Sequence, residues 1–190
     1  LYIDGVGTII DNCINIGTDL GLPTVGQVVF LLLTQVVAWI GSLVFAKLSK
    51  KYNTVTLLLA CIVGYFIVCV YAFFIATIWD FGIMAFIVGC FQGSIQSLSR
   101  SYYKKIIPAE NSGEYFGIYD IFSKGASFLG SAVIATVKLL ADENGNFTFN
   151  LLGKLVSIRS INAAVGLLCI FFLLGFIFLK IADKQEPSKY

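Results

Sequence analysis

Histidine is absent from this chain, and charge is scarce. There are 13 Lys and Arg and 11 Asp and Glu among 190 residues, leaving a net charge of +2. The first absence removes the common Ser–His and metal–His designs, so neither a metal nor an enzymatic activity is expected. The second leaves no dense basic patch for nucleic acid. The five cysteines are Cys13, Cys61, Cys69, Cys90 and Cys169, and none forms a C-x-x-C pair. Their spacing suits neither a disulfide framework nor a zinc site, and all fall in apolar stretches, where they read as small packing residues. No signal-peptide pattern opens the chain, whose first residue is Leu. The expectation is that these residues are part of a longer protein, with no cofactor.

What the chain has instead is apolar length. It is 58% hydrophobic against 13% charged, and its mean hydropathy is +0.88. Soluble domains run nearer to about 25% charged. A bilayer accommodates that surface where a soluble core cannot. Spans of ~20 residues are the natural unit, and the expectation is an all-α membrane protein with six of them. They are read at about 1–21, 25–47, 54–78, 81–104, 112–138 and 158–181, with Gly21 and Pro23 closing the first and Pro108 following the fourth. Membrane strands are not expected, since segments near 10 residues with alternating polarity are not seen. The loop 142–146 is polar, and Asn146-Phe147-Thr148 matches a glycosylation sequon.

Basic residues orient the spans. Lys47, Lys50 and Lys51 follow the second span, Arg100, Lys104 and Lys105 the fourth, and Lys180, Lys184 and Lys189 the sixth. All three clusters fall on one side, which the positive-inside rule assigns to the cytoplasm together with the C-terminus. Polarity also has a pattern. Spans 1, 2, 4 and 5 carry polar stripes, whereas spans 3 and 6 are apolar nearly all round. That order predicts two three-helix units in an inverted repeat, with the third helix of each facing lipid.

Charges at membrane depth are costly, at about 2.5–3.5 kcal/mol on insertion scales, so they must face protein or water. In span 5, Gly113, Gly117, Asp120, Lys124, Ser127 and Ser131 recur at helical spacing, and Asp120 and Lys124 form an i,i+4 pair. Lys124 falls about 18 Å along the helix from residue 112, near mid-bilayer. In span 1, Asp4, Thr8, Asp11 and Asn15 share a face, with Asn12 beside them and Gly5, Gly7 and Gly17 allowing a bend. Burial disfavours the charged form of a carboxyl, so an Asp facing a cavity there suits a proton carrier. It suits equally well an ion-pair partner for Lys124. Span 4 carries Gln92, Gln96 and Arg100 one turn apart, with Gly89 and Gly93 as a G-x-x-x-G that permits close helix approach. Gln27, Thr34, Gln35 and Ser42 make a weaker polar face on span 2.

Three stretches resemble the vacuolar amino-acid effluxer, or autophagy-related permease, family of the major facilitator superfamily. Tyr2-Ile3-Asp4-Gly5-Val6-Gly7-Thr8-Ile9 is similar to its seventh helix. Gln92-Gly93-Ser94-Ile95-Gln96-Ser97-Leu98-Ser99-Arg100-Ser101-Tyr102 is similar to its tenth. Gly113-Glu114-Tyr115-Phe116-Gly117-Ile118-Tyr119-Asp120 through Lys124 is similar to its eleventh. The resemblance implies that residues 1–190 are the C-terminal half of a twelve-helix transporter, partnered by an N-terminal six-helix half. It implies alternating access and proton-driven efflux of amino acids or similar small polar solutes, in a bacterial cell membrane or a fungal vacuolar one. The solute or proton pathway expected is Asp4, Asp11, Asn12, Gln92, Gln96, Tyr119, Asp120 and Lys124, with Arg100 and Glu114 as a cytoplasmic gate. The stretch 41–53 departs from the superfamily's usual loop, with Lys50 in place of Asp and Asn53 in place of Gly. Two other readings of the polar stripes remain: a non-transporting scaffold, or an aspartyl dyad of Asp4 or Asp11 with Asp120, against which the charge of Lys124 argues.

Overall fold

A computed structural model of the chain describes residues 2–185, apart from 12, 20, 22, 73, 76, 109, 142–144, 152 and 153; the side chains of 13, 16, 19, 124–127, 147–151, 154–158, 161 and 185 are also left aside. Span 1 is two helical segments, α1 (Tyr2–Asp11) and α2 (Cys13–Asp19). Gly21, at φ 71°, turns the chain after α2 in a conformation that side chains disfavour. Then follow α3 (Thr24–Leu48), α4 (Thr54–Ala72), α5 (Ile78–Ile106) and α6 (Ser112–Leu139). A capping box starts α5: the Thr77 hydroxyl accepts from the Asp80 N–H at 3.3 Å, and the Asp80 carboxylate accepts from the Thr77 N–H at 2.9 Å. The sixth span is α7 (Ser160–Leu167) followed by α8 (Cys169–Gln185). Among the described residues, four helical stretches are long and apolar enough to cross a membrane by composition, namely α3, α4, α5 and Asn162–Lys184.

Before α7 stands an element that the spans did not predict. Strands β1 (Asn146–Leu151) and β2 (Lys154–Arg159) pair antiparallel, with Asn146 opposite Arg159 and Leu151 opposite Lys154. Asn-Phe-Thr-Phe-Asn and Leu-Val-Ser-Ile-Arg carry the alternation and β-branching of a strand. The sequon therefore falls in β1, and the sixth span begins at Ser160, where the strand ends.

Helix contacts repeat internally. The pair α3–α5 meets as α1–α6 does, and α4–α5 as α1 meets α8; α4 and α8 meet each other. Exchanging spans 1, 2 and 3 for 4, 5 and 6 maps these contacts onto one another, whereas α6 meets α7 without a comparable α3–α4 contact among the described residues. The core lies along α4, whose Leu58, Cys61, Ile62, Tyr65, Val68 and Cys69 are fully buried. Phe81 and Met84 of α5, Phe172 of α8 and Val6 and Ile9 of α1 close around it. Tyr65 stacks on Phe172 with centroids 5.4 Å apart. At the outer corner, the buried Asn162 amide donates to the Ile75 carbonyl at 2.9 Å and ties α7 to the end of α4.

This corrects the expectation that span 3 faces lipid. A helix apolar all round satisfies a protein core and a lipid environment equally, because lipid tails are as apolar as Leu. The helix with the broadest uncovered apolar face is α3, through Val25, Val29, Leu32, Leu33, Val36 and Trp39. Its opposite face is held very close to α5. A Cβ on Gly41 would stand 2.6 Å from the Cys90 carbonyl oxygen, one on Gly89 2.9 Å from that of Thr34, and one on Gly93 3.0 Å from that of Ala38. Thr34, buried in this seam, donates to Phe30 at 2.8 Å and is placed 3.3 Å from the Ala85 carbonyl of α5.

Candidate functional site

Asp4 lies in the first turn of α1 and is 1% exposed, as is Thr8 one turn on. The small residue Gly130 lets α6 approach here, since a Cβ on it would collide with the Thr8 hydroxyl. Neither carboxyl oxygen of Asp4 has a hydrogen-bond partner among the described residues; the Gly130 backbone is close by without completing one. Buried polar groups are nearly always paired, and a buried anion is costlier still. Gly130 stands about 13 Å of helix short of Leu139. Measured from that end, the contact falls near the middle of a hydrocarbon layer about 30 Å thick.

A cleft of about 290 Å³ runs beside this point between α1, α5 and α6. Its wall is Ile3, Asp4, Tyr103, Ile118, Tyr119, Phe122 and Ser123. Tyr103 and Tyr119 pack with centroids 4.9 Å apart, and Phe116 meets Tyr103 edge-on at 5.6 Å. These rings bridge α5 to α6, and the Tyr103 hydroxyl donates to the Tyr115 carbonyl at 3.1 Å. Near them Arg100 and Asp120 form an ion pair at 3.5 Å, with side chains 64% and 48% exposed. At the same end the Tyr2 and Ser99 hydroxyls are 2.9 Å apart, and Lys105 donates to Thr54 at 2.9 Å.

The structure brings together Asp4 and Tyr119 in one cleft, and Arg100 and Asp120 in one pair. Glu114 is exposed in the first turn of α6, and the described ion pair of Arg100 runs to Asp120. Gln92 sits further along α1, in a small pocket with Ile9, Ile10, Thr34, Gln35 and Met84, its side-chain oxygen buried and unpaired among the described residues. Asp11 and Gln96 are exposed. Asn12 lies outside the described residues, and so does the side chain of Lys124, whose backbone belongs to α6. Missed by the sequence reading were Tyr103, Phe116 and Phe122. Their signal was aromatic spacing of three and four along α6, matched by a ring on α5.

Because it is open to water, the Arg100–Asp120 pair contributes little on its own. Arg100→Ala is expected to shift unfolding free energy by less than about 1 kcal/mol, read as a thermal melt in detergent. A larger loss would mean that the pair is covered in the whole protein.

The chain matches, over residues 1–186, the family described as vacuole effluxer Atg22 like. It belongs to that family. Among curated relatives of this Atg22-like chain is an uncharacterized MFS-type transporter, YxiO, of Bacillus subtilis, 44% identical over 151 residues, which cover 80% of this chain and 35% of the relative. The autophagy-related protein 22-1 of Neosartorya fischeri and protein 22-2 of Aspergillus clavatus are each 27% identical over 59 residues, covering 31% of this chain and 10% of theirs. The Atg22-like chain thus matches about a third of the length of the bacterial relative. No solved structure matches it.

Proposed function

We propose that this chain is the C-terminal six-helix half of a major facilitator transporter, working by alternating access to export amino acids or similar small polar solutes against protons. The observation that carries the reading is the division of its uncovered surface. Between their ends, the exposed positions on α3 and α8 are apolar apart from Gln35, among them Leu32, Trp39, Ile170 and Ile177. The uncovered side of α1, α5 and α6 adds Asp11, Gln96, Arg100 and Asp120 to exposed apolar residues such as Ile121, Phe122 and Phe128. On α6, a Cβ at Gly113 or Gly117 would meet nothing within 4 Å. Polar helix faces at membrane depth need protein or water against them. An N-terminal six-helix half, enclosing a cavity with this one, supplies both. The internal exchange of the α3–α5, α4–α5 and α4–α8 contacts supports reading the six spans as a 3+3 inverted repeat.

In this reading Asp4 is the proton-carrying carboxyl, Gln92 and Tyr119 line the solute path with Lys124, and Arg100 and Asp120 close the basic end, which is cytoplasmic. Its host membrane is the cell membrane of a bacterium or the vacuolar membrane of a fungus. The test is flux by the whole protein in liposomes. Amino acids supplied to vesicles with an imposed pH gradient are expected to accumulate, and to stop doing so when a protonophore collapses the gradient. Accumulation indifferent to the gradient would remove proton coupling. Absence of flux for every solute would favour a scaffold.

A further inference from the structure

Another cleft, of about 230 Å³, opens between α4 and α8. Its wall is Ile62, Val63, Phe66, Phe172, Leu173 and Phe176, without a polar side chain. The inner part of the wall is fixed, because Phe172 is fully buried and stacked on Tyr65. The outer part is open, with Val63 44% and Leu173 48% exposed. Water does not fill a cavity lined by apolar groups alone, and an empty one deprives its lining of dispersion contacts. Both helices are apolar enough to span a membrane, so the medium at the open side is hydrocarbon, whose chains are as apolar as Leu. The volume is below the roughly 300–1,000 Å³ that encloses a whole small molecule. It suits the end of a chain and not a compact ligand.

Placement along the helices says where such a chain begins. Tyr65 stacks on Phe172 while the Cys169 thiol lies 4.0 Å from the Phe66 carbonyl, so α4 and α8 run antiparallel. Val63 stands about 13 Å of helix from Thr54, and Phe176 about 13 Å from Gln185. That is close to the depth of one leaflet, half of a hydrocarbon layer about 30 Å thick. At those same ends lie Lys50 and Lys51, in the turn before α4, and Lys180 and Lys184 on α8. Lys180 and Lys184 share the helix stripe of Leu173 and are exposed. Asp183 falls instead on the buried stripe of Leu179, with one carboxyl oxygen buried. Lysine stems run along apolar surface and carry their charge to the headgroup layer.

We propose that this cleft is a lipid site: it takes one acyl chain of an anionic phospholipid from the leaflet at the basic end, and Lys180 and Lys184 hold the phosphate. The site needs the chain to span a membrane. It depends neither on the solute carried nor on proton coupling.

The experiment is native mass spectrometry of the whole protein, incubated in detergent with equal amounts of dioleoyl phosphatidylglycerol and dioleoyl phosphatidylcholine, which share their chains. Glycerol 3-phosphate serves as the chain-free anion. One phosphatidylglycerol is expected to be retained, at least about tenfold in preference to phosphatidylcholine. Lys180→Gln and Lys184→Gln should each cut that preference about fivefold, the contribution of one basic residue at an anionic surface. Val63→Trp, which fills the cleft, should lower retention of both lipids, whereas Leu32→Trp on the exposed face of α3 should lower neither. Leu173→Trp fills the same cleft from α8 and replaces Val63→Trp if that variant melts below the wild type. Equal retention of the two phospholipids overturns the site, as does unchanged retention in a folded cleft-filling variant. Glycerol 3-phosphate held as tightly as the lipid would give the lysines to a free anion, and a dimer that Val63→Trp dissociates would give the cleft to a second copy; either overturns it.

Discussion

Asp4→Asn is expected to abolish solute accumulation driven by a pH gradient, down to the level of protein-free vesicles, while the protein stays folded. Asparagine keeps the shape of the side chain and removes its proton. The native carboxyl sits 1% exposed with no hydrogen bond to either oxygen among the described residues. Placing a charge at the bilayer centre costs about 2.5–3.5 kcal/mol, so the neutral amide should melt no lower than the wild type. The two readouts must separate: flux lost, melting temperature kept. A variant that still accumulates solute against its gradient excludes Asp4 as the proton site. A variant that loses flux because it no longer melts cooperatively says that the carboxyl holds the fold, as an ion-pair partner would.

The second large effect is on packing. In Gly41→Leu and Gly89→Leu a side chain must enter where the opposite backbone already stands, 2.6 Å and 2.9 Å from the first added carbon. A flexible side chain could move aside; a carbonyl of a neighbouring helix cannot, short of driving α3 and α5 apart. Overpacking of this kind costs about 1–3 kcal/mol and sometimes more, and here it also breaks the contacts of Thr34 across the seam. Each variant should melt well below the wild type and yield less folded protein in detergent. Val44→Leu, on the uncovered side of α3, should change neither. Equal melts for Gly41→Leu and Val44→Leu would mean that the two helices are not in backbone contact.

The sequence made Gly89 and its partner Gly93 legible because small residues one turn apart are a local signal, whereas Gly41 has no second glycine one turn away on α3 and carries no such signal. The spans were legible for the same reason, since twenty apolar residues and a basic end can be counted along one strip of chain. Burial within the bundle was not. Span 3 reads as lipid-facing yet α4 is the core, because in a membrane hydrophobicity does not separate inside from outside. The aromatic bridge of Tyr103 with Phe116 and Tyr119 joins positions on two helices, and no spacing within either one shows that they meet. The hairpin escaped because attention to spans treats everything between them as loop, although its alternation stands in the sequence. Of the expected site, Asp4 and Tyr119 come to one cleft and Arg100 to Asp120. Gln92 belongs to a different pocket further along α1.

The contact between spans 3 and 6 maps onto itself when the two sets of three spans are exchanged, as does that between spans 1 and 4 through Tyr2 and Ser99. Helices α4 and α8 face each other, joined by the stack of Tyr65 on Phe172. In a two-fold assembly the elements on the axis form an isologous contact, where one surface must fit its own copy. The Tyr65–Phe172 stack therefore belongs to both three-span units at once, and a substitution at either ring disturbs the two together rather than one alone.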